Sequence, residues 1–112
     1  MQRLPKRLVD GSLLTTGAAA YFTAGANVLV TISACTLTNT TAGALTATVY
    51  LVPSGGSATA ANCIFSARTL AAGESVNVGS AIGQTLAAGG MLQALASAGA
   101  GVSLVASGYE TT

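Results

Sequence analysis

The chain is 112 residues long, carries four basic and three acidic side chains, and has no histidine and no tryptophan. Ala, Gly, Ser and Thr fill 62 positions, but the Leu, Val, Ile, Met and Phe between them are too many and too evenly spaced for a disordered segment. That length makes one domain, and the lack of any side chain that titrates near neutrality argues against acid–base catalysis.

Residues 1–10 hold three of the four cations, Arg3, Lys6 and Arg7, beside Pro5. We expect an extended N-terminal arm here, ahead of a single domain over 11–112, with the three cations touching a protein surface. Three charges without an aromatic platform are too few for nucleic acid, since they offset only about three phosphates. The stretch GAAAYFTAGA behind this basic cluster imitates a signal peptide. VDGS and TTG interrupt the apolar run of ~7–15 residues that a signal peptide needs, so synthesis and retention in the cytoplasm are expected.

Strand signals begin at NVLVTISACTLTN (27–39), where apolar and hydroxyl residues alternate with period two. NTTAGA then marks a turn, and LTATVYLV (45–52) alternates again. PSGGSATAAN reads as an exposed loop, because Pro53 and the Gly55–Gly56 pair favour turns. CIFSARTL, NVGSAIGQTL, MLQALAS and GVSLVASGYE follow as further short strands. Only AAGGMLQALASAGAG is ambiguous, its Ala and Leu favouring helix and its four glycines opposing one.

The pentapeptide TLAAG occurs at 69–73 and again at 85–89. Each copy ends an apolar run with a glycine, which accepts positive φ without steric cost, so each reads as the corner of an antiparallel hairpin. Seven to nine short strands predict an all-β fold: a small antiparallel β-sandwich, jelly-roll or immunoglobulin-like.

No nucleophile-elbow, dinucleotide or phosphate-loop motif is present. The acids Asp10, Glu74 and Glu110 stand apart in sequence. Two cysteines without histidine or a CxxC pair do not make a zinc site, so Cys35 and Cys63 are expected as reduced, buried core residues, a cross-strand disulfide being the alternative. We expect no enzyme, no cofactor and no metal. No window supplies the ~20 predominantly apolar residues of a spanning helix. Only 6% of residues are charged, against ~25% in a typical soluble domain. Such a surface suits close contact with a partner or with copies of itself.

Four blocks carry a resemblance: KRLVDGSLLTT (6–16), TLTNTTAGALTATVYLVPSGG (36–56), ARTLAAGESVNV (67–78) and SLVASGYE (103–110). Their order, together with the length of the chain, resembles that of a family of small tailed-bacteriophage virion structural proteins. The resemblance implies a non-enzymatic capsid decoration, or cement, protein bound outside the major capsid protein shell as a dimer or trimer and located in the virion. A neck, tail or fibre protein is the alternative within that class. A carbohydrate-binding β-sandwich, with Tyr21, Tyr50 and Tyr109 as its candidate aromatics, is the alternative outside it.

Overall fold

Period-two burial builds this fold. Along β3 (Leu29–Asn39), Val30, Ile32, Cys35, Leu37 and Asn39 are buried while Thr31, Thr36 and Thr38 face away. The computed structural model describes residues 3–111. They form β1 (Arg3–Leu13), β2 (Ala19–Thr23), β3, β4 (Leu45–Val52), β5 (Cys63–Leu70), β6 (Ser75–Asn77), β7 (Thr85–Leu86), β8 (Met91–Ala96) and β9 (Val102–Thr111). Two one-turn 3-10 segments, Ala60–Asn62 and Gly79–Ala81, interrupt them, and no α-helix lies among the described residues.

The strands make two antiparallel sheets. The first runs β1-β9-β3-β6, with β7 also on β3; the second runs β2-β8-β4-β5. The ladders pair the chain from its ends inward: β1 with β9, β2 with β8, β3 with β6 and β7, β4 with β5. One long ribbon folded at residues 53–62 and then rolled gives that nesting, which is the jelly roll rather than the immunoglobulin-like alternative. The core between the sheets uses Val30, Ile32, Leu37 and Leu104 from one side and Val49, Leu70 and Leu92 from the other. Ala47, Ala94, Ala96 and Ala106 fill the gaps with minimal volume.

Three expectations change on this frame. The TLAAG copies are corners, but not of hairpins. The first carries the chain from β5 in the second sheet to β6 in the first, and the second returns it from β7 to β8. Both use the same turn: Glu74 N–H donates to Ala71 O (3.0 Å) and Gly90 N–H to Ala87 O (2.8 Å). Gly73 (φ 73°) and Gly89 (φ 81°) take its third position, where positive φ is required.

NVGSAIGQTL is not one strand. Its flanks are β6 and β7, and Gly79–Ala81 bows out between them as a 3-10 turn. Glycines and short side chains give that edge little to pack against a neighbour, and Ser80 Oγ instead donates to Ile64 O at 2.6 Å.

Residues 3–10 are extended, but they lie along the molecule's own sheet as the greater part of β1, paired from Arg3↔Thr111 to Val9↔Ala106. The structure places no break at residue 10, and Leu8 and Val9 belong to the core. Met1 and Gln2 fall outside the described residues. The ambiguous segment at residues 87–101 contains β8, with Leu92, Ala94 and Ala96 buried. Burial on a pleated face has overridden helix propensity there.

Candidate functional site

The register of β1, β9 and β3 decides where the basic cluster points. Lys6 lies opposite Gly108 and Arg7 opposite Ser107, so the two side chains leave the sheet on opposite faces. Lys6 turns inward. Its Nζ donates to Glu110 Oε2 at 3.1 Å and sits 5.7 Å from the ring centre of Phe22 on β2, closing one end of the sandwich between the sheets. Arg7 is exposed on the outer face. The three expected contact residues therefore do not form one patch. Arg3 is placed only by its backbone pairing with Thr111.

The outer face of the first sheet holds what the sequence did not single out. Five large apolar residues are exposed in the described chain, and Leu13 (49%), Leu29 (44%) and Val105 (37%) share this face. Leu13 stands opposite Ser103, next but one to Val105 along β9. The other positions are mostly hydroxyls. Thr38 Oγ1 and Ser75 Oγ lie 2.9 Å apart, Thr36 Oγ1 donates to Asn77 Oδ1 at 3.3 Å, and Ser33 Oγ donates to Ser107 O at 3.3 Å. Such lateral bonds hold the short side chains flat. Of the acids, Glu110 is held by Lys6, Glu74 Oε1 accepts from Ala71 N–H at 2.8 Å, and Asp10 sits in the bulged part of β1. Period-two alternation predicts this face once β1 is recognised as a strand; Pro5 and Gly11 concealed it.

The outer face of the second sheet has a concavity of about 360 Å³ lined by Thr48, Tyr50, Ala60, Cys63 and Ser66. Two one-residue bulges in β5 make it, between the pairs Ala47↔Arg68, Val49↔Phe65 and Tyr50↔Cys63. At the first bulge, Ala67 takes φ 43°, and its N–H is met by the buried Thr48 hydroxyl at 3.0 Å instead of a ladder carbonyl. Cys63 is thus half-buried on this face rather than a core residue, while Cys35 is buried between the sheets. Both thiols are free, and they stand on strands of different sheets. Burial raises the Cys35 thiol to about 11.

Among the described residues, no three of Cys, Asp and Glu come together as a metal set. No helix there is long and apolar enough to cross a membrane.

These features define a small jelly-roll sandwich with two unlike outer faces. No family model and no curated protein matches the chain. Among solved structures, a chain in the structure of infectious bursal disease virus Gx strain is similar at 19% identity and a TM-score of 0.38. The match covers 99% of this chain and 37% of that one, so this chain spans a little over a third of its length.

Proposed function

We propose that this chain is a non-enzymatic structural component of a bacteriophage particle, a capsid decoration protein that lays the outer face of its first sheet on the major capsid shell. The observation that carries the reading is that Leu13, Leu29 and Val105, three of the five exposed large apolar residues among the described residues, share one hydroxyl-covered face with Arg7, spread along the length of β9. The resemblance of four sequence blocks to small phage virion proteins supports it from a separate direction.

Flat hydroxyl-rich sheet suits docking, because short side chains lose little rotamer freedom on contact while the apolar residues supply desolvation. A standard interface removes about 800 Å² from each partner, roughly a seventh of the 5341 Å² this chain exposes. Arg7 offers this face one exposed cation to an acidic group on the shell. Association of copies into a dimer or trimer would multiply weak contacts by avidity.

Counting copies per purified particle by quantitative mass spectrometry tests the proposal. Hundreds of copies support decoration, a dozen or fewer indicate a neck or tail part, and absence from particles overturns the reading. A second test uses Arg7→Glu with Leu13→Ser. Occupancy of shells should fall at least about tenfold, a cost of about 1.4 kcal/mol, with the thermal midpoint within a few degrees of wild type.

A further inference from the structure

On the face of the sandwich turned away from that docking surface, register sets Gln93 of β8, Tyr50 of β4 and Cys63 of β5 side by side across three strands. The concavity over Tyr50 and Cys63 completes the row with Thr48 and Ser66. We propose that this site binds a neutral, hydroxyl-rich ligand, a hexose ring of a glycan. The inference concerns the opposite face and stands whether or not the first sheet docks on a shell.

Charge gives the first argument. None of the residues lining the concavity is an Asp, Glu, Lys or Arg. Arg68, the nearest cation in sequence, pairs with Ala47 on the core-facing side of the ladder, its guanidinium 5.7 Å from the Phe65 ring centre. Glu74 is held in the β5–β6 corner, and Lys6, Arg7, Asp10 and Glu110 belong to the first sheet. A charged ligand would lose water here without gaining a counter-ion, which is costly.

Polarity gives the second. An apolar ligand would strand the hydroxyls of Thr48, Tyr50 and Ser66, and an unmet polar group costs about 1–3 kcal/mol when buried. Thr48 Oγ1 accepts from Ala67 N–H, which leaves its own proton to donate outward. Gln93 Nε2 makes only a 3.6 Å contact with Met91 Sδ, so its amide retains an acceptor and most of its donor capacity. Hydroxyls and an amide around one aromatic ring match a sugar, whose C–H face packs on the ring while its rim exchanges hydrogen bonds.

Size and rigidity give the third. The volume is at the low end of the ~300–1,000 Å³ typical of small-molecule sites, enough for one ring but not an extended chain. The bulges fix Thr48 and Ser66 on strands rather than on a free loop, so little ordering accompanies binding.

Cys63 makes the site testable in the native protein, because its alkylation reports occupancy. The full chain is treated with iodoacetamide and followed by mass spectrometry, with glucose, galactose, mannose, N-acetylglucosamine or glucuronate added. We expect one or more neutral sugars to slow Cys63 alkylation with rising concentration, by about threefold or more near 100 mM, which corresponds to a Kd of about 50 mM or tighter. Glucuronate should give little protection. Tyr50→Leu and Ser66→Ala should each remove the protection while leaving the rate without sugar and the thermal midpoint close to wild type. Amide shifts at residues 48, 50, 63 and 66 under the same sugars provide a second readout that needs no variant. Equal alkylation under all five sugars with no amide shifts, or protection that survives in Tyr50→Leu, overturns the proposal. Protection by glucuronate alone also overturns it.

Discussion

Asn39 on β3 of the first sheet donates its side-chain amide to the main-chain carbonyl of Leu70 on β5 of the second, 3.0 Å away. The same amide nitrogen reaches Gly43 O at 2.7 Å, and Oδ1 accepts from Thr41 N–H (3.0 Å) and Thr41 Oγ1 (2.7 Å). Asn39 is fully buried and every side-chain polar atom is used. It therefore locks the NTTAG turn and the first TLAAG corner to one strand end. Asn39→Ala removes the side-chain partner of the Leu70 carbonyl and of Thr41 N–H, Gly43 O keeping the Thr41 hydroxyl at 3.0 Å, so unfolding free energy should fall by about 3 kcal/mol, and the midpoint by roughly 15 °C. Asn39→Asp should cost more, since a carboxylate would face both carbonyls. A urea melt with a loss under about 1 kcal/mol would show that the corner holds without it.

The two TLAAG corners have the same turn but different neighbours. A methyl group on Gly73 would meet nothing within 4 Å, whereas one on Gly89 would press on Ser54, whose Cβ lies 2.9 Å away. Gly73→Ala should cost only the left-handed backbone penalty, about 1–2 kcal/mol. Gly89→Ala should cost measurably more, and adding Ser54→Gly should return the excess. Equal losses for the two single variants would refute the packing difference.

The centre of the chain was legible because turn residues bracket short runs rich in β-branched and aromatic side chains. LTATVYLV and CIFSARTL match β4 and β5 residue for residue. Turn chemistry found the glycine corners but not their direction, because local sequence does not say whether the next strand joins the same sheet or the other. β1 was hidden by Pro5 and by bulges at Leu8 and Gly11 that break the alternation, and β2 by the alanines that precede Tyr21. Arg3, Lys6 and Arg7 looked like one cluster on the chain, yet period two sends Lys6 and Arg7 to opposite faces. The concavity was not readable at all: it depends on where β5 bulges against β4.

Lys6 and Arg7 accordingly predict different phenotypes. The Lys6 side chain is 46% exposed in its pair with Glu110, so the surrounding water screens the attraction and Lys6→Ala should lower stability by under about 1 kcal/mol. Arg7→Glu should leave stability unchanged and, on the proposed docking, lower shell occupancy by less than the double variant with Leu13→Ser does. Paired melting and co-sedimentation measurements would expose the reverse pattern.

Gly108 lies where β9 crosses closest to β3. A Cβ there would collide with the Thr31 carbonyl oxygen and come within 3.1 Å of Ile32 Cα. Both are backbone atoms in a central ladder, so neither can swing aside. Gly108→Ala should cost about 3 kcal/mol or more, in the range of severe packing and backbone changes. Gly17→Ala, with nothing within 4 Å of the new methyl, should fall within about 1 kcal/mol of wild type in either direction. Similar melting points for the two variants would contradict the close approach.

Cys35 gives the fold an alkaline limit. Burial between the sheets raises its thiol from 9.0 to about 11, because a thiolate there would be stripped of water. The folded pKa exceeds the unfolded one, so this stabilising difference is fully present below pH 9. As pH rises from 9 to 11, the unfolded chain gives up the proton while the folded chain keeps it, and stability drops by about 2–3 kcal/mol. Cys35→Ala should lower stability at pH 7 through lost packing yet lose less between pH 9 and 11 than wild type. In the native protein at pH 8, maleimide should modify Cys63 and spare Cys35 until the chain is unfolded. Parallel stability–pH curves for wild type and Cys35→Ala, or rapid native labelling of both thiols, would show that Cys35 is not sealed within the core.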